Sequence, residues 1–336
     1  MKPILVTGAN GFVGRHLVRS LIDAGRPVMA LDLEFRADFP AEAERQTGTV
    51  TDAALMRSLA AESAGVIHAA AIAQLWAARP GAHDAVNYEG TVAVASAAQA
   101  AGVRLLLVSS YTTLVARSTV PTAVLTEAEA HAPETLLGPY PASKRRAEIA
   151  VDGLIAEGLD AVTVLPSAPV GPGDAGPTPP GRMILDLARG ATPAIIATEL
   201  DLVDVRSLAS GILAAFDHGE SGERFLLSGE AIGLGRFAEL VCTTMGRRAP
   251  KIQVPFAMAE TVSRIEELIG RGIGRAPTAP LTGVLLAKKR ARLDSGKARH
   301  ILGFRPAPLQ DAVLSALEWF AGEGMLRTGP VSPAAR

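Results

Sequence analysis

Thr7-Gly8-Ala9-Asn10-Gly11-Phe12-Val13-Gly14 follows Ile4-Leu5-Val6, and its reading decides the fold. A short apolar run enters three spaced glycines and leaves as an amphipathic helical pattern, which reads as strand, tight turn and helix start. Gly8 permits the turn, Gly11 lets a pyrophosphate approach the backbone, and Gly14 lets the helix pack close to the sheet. The N–H groups at the helix start would face the anion, with the helix dipole aligned in favour. Three spaced glycines also occur in ordinary turns. The placement between a strand and a helix is what gives them weight, together with Tyr140-Pro141-Ala142-Ser143-Lys144 about 130 residues further on.

Working outward, short apolar runs alternate with helical patterns through the first half. Strands are predicted at 4–7, 28–32, 65–68, 105–110 and 161–165, and helices at 11–24, 53–61, 84–101 and 141–157. Such alternation predicts an α/β fold with a doubly wound parallel sheet covered by helices on both faces. The pattern changes at Pro166, where residues 170–181 form a loop dense in glycine and proline; a loop that long is more often functional than not. Helices are expected again at 182–189 and 309–323, and residues 331–336 are expected to fray. The predicted division is a dinucleotide-binding domain over 1–165. A smaller substrate lobe follows over 166–330, part of which returns to the sheet.

Lysine plus arginine number 33 and aspartate plus glutamate 34, for a net charge of −1 with no long block of one sign. That balance supports neither a nucleic-acid surface nor a polybasic membrane patch. The single cysteine, Cys242, lies in an apolar stretch and reads as a buried small hydrophobe. The six histidines lack ligand spacing, so no metal site is expected. The N-terminal apolar run is too short for a signal-peptide core, and the expected location is the cytoplasm.

Asp32 ends the second predicted strand, 18 residues after Gly14. A carboxylate there accepts hydrogen bonds from both ribose hydroxyls and repels a 2′-phosphate, favouring NAD over NADP. Arg36 nearby argues the other way, and a simple turn cap is the other reading of Asp32. Tyr140 and Lys144 stand one helical turn apart on one face, with Pro141 suited to the first helical position. A phenol with a pKa near 10 needs roughly 4 kcal/mol of differential stabilisation to shuttle protons at neutral pH. A lysine one turn away, with a cationic nicotinamide, is the source this spacing suggests. Ser110 would orient the reacting oxygen, with Thr112 the alternative in this register. Asn87 would tie its helix to a neighbouring strand through its amide, in a structural or a catalytic role.

With these residues quoted, the chain resembles an extended short-chain dehydrogenase/reductase of the NAD-dependent epimerase/dehydratase superfamily, over essentially residues 1–327. The landmarks are Thr7–Gly14, Val66-Ile67-His68-Ala69-Ala70-Ala71, Asn87-Tyr88-Glu89-Gly90-Thr91, Ser109-Ser110 and Tyr140–Lys144. Gln74-Leu75-Trp76-Ala77 and the segments 166–174 and 177–182 resemble the hopanoid-associated sugar epimerase and dihydroflavonol-reductase-like branch. The resemblance implies a Rossmann sheet, NAD as cofactor, and Ser110, Tyr140 and Lys144 as the catalytic triad. It implies cofactor contacts from Gly8, Asn10, Gly11, Phe12, Val13, Gly14, Asp32, Leu33, Val50, Ala69, Ala70, Ala71, Ser109, Tyr140, Lys144, Pro166, Ala168 and Pro169. Substrate contacts would come from Gln74, Trp76, Thr112, Ser167, Arg182 and Met183. A homodimer built from the helices at 84–101 and 141–157 is also implied.

The sequence departs from the superfamily at the cofactor's adenine and where nucleotide sugars are held. Gly48-Thr49-Val50-Thr51-Asp52 has threonine in the slot of an adenine-binding aspartate, leaving that contact to backbone near Val50. Ala168 replaces an asparagine, and Glu199-Leu200-Asp201-Leu202 lacks an arginine that would clamp a diphosphate. An apolar or compact polyol-like substrate fits better. The expected activity is an NAD(P)-dependent oxidoreductase interconverting a secondary alcohol and a carbonyl on a sugar-like or other small substrate. A sugar epimerase or dehydratase with retained NAD is the alternative.

Overall fold

The computed structural model describes residues 1–326; the fraying expected at 331–336 lies outside them. The first half contains β1 (Ile4–Thr7), α1 (Phe12–Asp23), β2 (Val28–Asp32), β3 (Glu44–Thr47), α2 (Ala53–Glu62) and β4 (Gly65–His68). A π-helical turn over Asp84–Glu89 runs into α3 (Gly90–Ala101), and β5 (Arg104–Val108) follows. The middle runs β6 (Val124–Leu125), α4 (Pro139–Ala156), β7 (Ala161–Pro166), β8 (Ala168–Val170), α5 (Pro179–Arg189), β9 (Ala194–Ile195), β10 (Glu199–Asp204), α6 (Val205–His218) and β11 (Arg224–Leu227). The rest is β12 (Glu230–Gly233), α7 (Leu234–Thr244), β13 (Ile252–Gln253), α8 (Phe256–Ile273), α9 (Leu281–Lys289), β14 (Arg292–Leu293), α10 (Gly296–Ile301) and α11 (Leu309–Gly322).

Seven strands form one parallel sheet in the order β11-β7-β5-β4-β1-β2-β3. The chain runs one way through β1, β2 and β3, then crosses back to β4 and onward. The order therefore reverses between β1 and β4, where α/β sheets open a crevice at the carboxyl ends of their strands. β1 and β4 are buried at every residue, because helices cover both faces. On one face Leu17, Val18 and Leu21 of α1 meet Leu208 and Ile212 of α6. On the other, Met56 and Leu59 of α2 join Val94 and Ala98 of α3. Each such leucine contributes roughly 1.5–3 kcal/mol by leaving water.

β3 escaped the sequence reading. Its Glu-Arg-Gln-Thr is mostly exposed at the sheet edge, so it carries no apolar alternation. α4 begins at Pro139 with Gly138 as N-cap at φ +122°, so Pro139, not Pro141, opens the helix. Ser110 lies beyond β5, in extended backbone that caps a single 3₁₀ turn over Tyr111–Leu114.

β8, β10 and β12 make a small second sheet against α5, α7 and α11, with its own apolar cluster around Phe237 and Phe320. β11 and α6 belong to the main sheet although both lie beyond Pro166. Cys242 is buried in the second cluster, and burial raises its thiol pKa. Among the described residues no helix is long and apolar enough to cross a membrane.

Candidate active site

The glycine turn sits at the carboxyl end of β1. Gly8 adopts φ +67°, and a Cβ there would stand 2.6 Å from Ala70 Cα, so the turn is pressed onto the segment after β4. A Cβ at Gly14 would stand 2.0 Å from the Gly8 carbonyl oxygen. The glycine thus lets α1 lean on the turn that leaves β1. No side chain caps α1, so none competes for its first N–H groups, those of Phe12 and Val13 among them. This cradle, which any side chain would fill, fits a dinucleotide pyrophosphate.

The turn-cap reading of Asp32 is visible directly. Its carboxylate accepts the N–H of Asn10 and that of Leu33, each at 2.8 Å, and so caps the two turns beside the crevice. Arg36 is bound to Asp38 at 3.1 Å and to Glu323 at 2.7 Å, both partners raising its pKa. The arginine that argued for NADP is therefore occupied by carboxylates. The Asn10 amide donates to the Glu34 carbonyl, Leu33 is 69 % exposed, and Val50 is buried against Gly90.

Ser110, Tyr140 and Lys144 come together between β5 and α4, all buried. The Ser110 Oγ accepts from the Thr112 hydroxyl at 3.0 Å and the Thr112 N–H at 3.2 Å, which leaves its own proton to donate. Ser110 stands near enough to Tyr140 to lower its pKa against the larger effect of burial, which raises it. Thr112 thus supports Ser110. Lys144 Nζ donates to the Val108 carbonyl at 2.9 Å, and burial brings its pKa to about 8 while Glu148 opposes. Burial outweighs Ser110, so the net shift of the phenol is upward.

Ser109 turns the other way. Its hydroxyl donates to Glu148, whose second oxygen binds Arg145 at 2.9 Å and Arg224 at 3.0 Å. This buried cluster fastens the end of β5 to α4 and β11, and it engages the proton of the Ser109 hydroxyl.

A continuous buried chain links the glycine turn to the catalytic helix, and sequence reading missed most of it. Thr7 Oγ1 lies 2.7 Å from His68 Nδ1, and His68 Nε2 lies 3.0 Å from Thr91 Oγ1. Thr91 donates to the Asn87 carbonyl, Asn87 donates to Ser143, and Ser143 donates to the Tyr140 carbonyl. Because Thr91 gives its proton to Asn87, it must accept from His68, which assigns the Nε2–H tautomer. Burial first, and Lys144 second, hold the His68 pKa at about 3, so the ring is neutral. Asn87 also bonds both backbone groups of Ile72, so its amide ties its helix to the segment after β4 rather than to a strand.

On the expected substrate side, the Gln74 carbonyl pairs with His83 Nε2 at 2.8 Å, and the His83 ring meets Tyr140 edge-on at 6.0 Å. Trp76 packs beside Gly270 of α8. Ser167 is buried with no hydrogen-bond partner for its hydroxyl among the described residues, near Asp201, whose pKa burial pushes up to about 6. Asp201 and Tyr140 both act on Tyr111, whose pKa burial raises most. Ala69, Ala70 and Ala71 line the turn after β4, and Pro166, Ala168 and Pro169 lie where β7 passes into β8. Arg182 is exposed on α5, while Met183 packs against the second cluster. The loop at 170–178 is held by Asp174, which accepts the N–H and hydroxyl of Thr178. Among the described residues no group of three or more His, Cys, Asp or Glu could hold a metal ion.

Residues 4–228 match the model of the NAD dependent epimerase/dehydratase family. A Synechocystis sp. protein provisionally named dihydroflavonol 4-reductase is 33 % identical over 334 residues, covering 96 % of each chain. Sterol demethylase protein B of Methylococcus capsulatus is 29 % identical, covering 96 % of this chain and 99 % of its own. The crystal structure of gox2253 superposes with a TM-score of 0.82 at 34 % identity, over 97 % of this chain and all of the other.

Proposed function

The chain belongs to the NAD dependent epimerase/dehydratase family, and from that premise we propose an NAD-dependent oxidoreductase that interconverts a secondary alcohol and a ketone on a largely apolar substrate. The observation that carries this reading is the gathering of buried Ser110, Tyr140 and Lys144 at the carboxyl end of β5. When bound, NAD supplies the hydride acceptor, and its reduced form the donor.

In the reducing direction the Tyr140 phenol gives its proton to the carbonyl oxygen, and Ser110 donates a hydrogen bond to hold that oxygen in line. Burial keeps the phenol protonated, which suits a donor. Lys144, drawn to about 8, stays largely charged at neutral pH and favours the phenolate left behind. Asp32 would accept the adenosine ribose hydroxyls of NAD, and exposed Leu33 would give its base an apolar face.

The apolar substrate rests on two features. Ala168 and the segment Glu199–Leu202 offer no arginine or asparagine to a diphosphate. The two curated relatives above are named for a flavonol and a sterol, both polycyclic and poorly soluble. Reduced-nicotinamide absorbance, followed with a panel of steroid-like, polyphenolic and long-chain ketones beside nucleotide sugars, tests the reading. Turnover is expected with the apolar ketones, and turnover confined to nucleotide sugars would overturn it.

The family's epimerase members favour a second reading, in which NAD is retained through the cycle. NAD released from denatured protein, with no net consumption during turnover, would support it. A homodimer through the 84–101 and 139–156 helices belongs to the same proposal, and light scattering reads it.

A further inference from the structure

α8 carries its apolar residues on the outside. Met258, Val262, Ile265, Leu268, Ile269 and Ile273 are 50 %, 49 %, 53 %, 74 %, 55 % and 66 % exposed, and their spacing puts them on one face of the 18-residue helix. Ser263 and Gly270 are its buried positions. Isolated exposed hydrophobes need no explanation, but a run of six on one helix does.

The charges of α8 are sorted. All three acids turn inward: Glu260 pairs with Lys288 at 2.6 Å, Glu266 accepts the Thr278 N–H at 2.7 Å, and Glu267 accepts the Leu281 N–H at 2.8 Å. Arg264 and Arg271 are exposed on the flank of the stripe beside Leu268, and neither forms an ion pair among the described residues. The helix therefore offers apolar surface edged with free positive charge.

We infer that the outer face of α8 docks on an anionic lipid surface, lying in its plane with the stripe in the acyl boundary and the arginines at the headgroups. A second copy of the chain fits less well. A two-fold contact on this face would set Arg264 and Arg271 against their own equivalents, with every acid of α8 already engaged. A lipid surface supplies the missing negative charge.

The position of α8 gives such docking a purpose, which rests on the apolar substrate proposed above. Gly270 stands against Trp76, the Gln74 carbonyl holds His83, and His83 meets Tyr140. A substrate dissolved in a membrane would thus approach at the edge of the crevice.

Cosedimentation of the full chain with phosphatidylserine-containing and pure phosphatidylcholine vesicles tests the inference without any turnover. Binding is expected to the anionic vesicles and to weaken with salt. The pair Ile265→Glu and Leu268→Glu should abolish it, while Arg264→Gln with Arg271→Gln should weaken it about 20–30-fold. An unchanged melting temperature in each variant establishes that the fold survives. No binding by the native protein, or equal binding by the glutamate variant, overturns the inference. So does a glutamate variant that converts a dimer to a monomer without affecting vesicles, which would make the stripe a subunit interface. Vesicle binding by a protein that turns over only nucleotide sugars would sink the proposed substrate and leave the docking intact.

Discussion

Lys144 Nζ lies 2.9 Å from the backbone oxygen of Val108, so the ammonium of α4 is fastened to the end of β5 two residues before Ser110. A buried charge of this kind opposes folding. Its pKa is about 8 in the fold against 10.5 outside, so the unfolded chain binds more protons between those values. The penalty is present below pH 8 and fades as pH rises toward 10.5. Lys144→Met is therefore expected to leave stability level or raise it by up to ~2 kcal/mol at neutral pH. Turnover should nevertheless fall about 10²–10⁴-fold. Denaturant melts beside initial rates check this, and a large stability loss would make Lys144 a structural residue.

His68 gives a signal on the acid side. Its folded pKa of about 3 lies below the ordinary 6.5, so the unfolded chain binds the extra proton between them. The stability due to the neutral ring is complete above pH 6.5 and is lost as pH falls toward 3, by about 1.4 kcal/mol per unit at most. His68→Asn removes that dependence. Unfolding free energies measured across the window should show a steeper acid limb in the native protein than in the variant. Equal slopes would count against the neutral, hydrogen-bonded ring.

Gly8 has no room for a side chain. Gly8→Ala would place a methyl 2.6 Å from Ala70 Cα at a φ of +67°, a clash against backbone that cannot be relieved by a rotamer. A loss of about 1–3 kcal/mol is expected, with cofactor affinity falling as the turn opens. Gly25→Ala, also at positive φ but in open space, is the control and should cost less. Thermal melts with and without NAD separate the two effects.

Asp32 is expected to set the choice of dinucleotide. Asp32→Ala removes the acceptor of the ribose hydroxyls and the repulsion of a 2′-phosphate. The ratio of kcat/KM for NADP over NAD should rise at least about tenfold, since one charged hydrogen bond contributes about 1.5–3 kcal/mol. An unchanged ratio would return Asp32 to the role of turn cap alone.

The parallel sheet and its crevice were legible because buried strands such as Ile4–Thr7 and Gly65–His68 must be apolar throughout. The edge strand Glu44–Thr47 was not, because one flank faces water and its residues need only pair through the backbone. The i, i+4 spacing of Tyr140 and Lys144 is fixed by the helix and so survives from sequence to structure. Their electrostatics do not, since burial depends on what other elements, such as the end of β5 at Val108 and the His83 ring, lay beside them. The His68 chain was hidden for a similar reason. Thr7, His68, Thr91, Asn87 and Ser143 come from separate elements, and no spacing along the chain brings them together. The outward stripe of α8 has the period of a buried helix face, and only its exposure sets it apart.

The most direct test of the account is the rate of reduced-nicotinamide oxidation with an apolar ketone, compared between the native chain and Tyr140→Phe. The account predicts turnover by the native protein and a loss of about 10²–10⁴-fold in the variant, with its fold and NAD binding kept. A phenylalanine variant as fast as the native chain would contradict it.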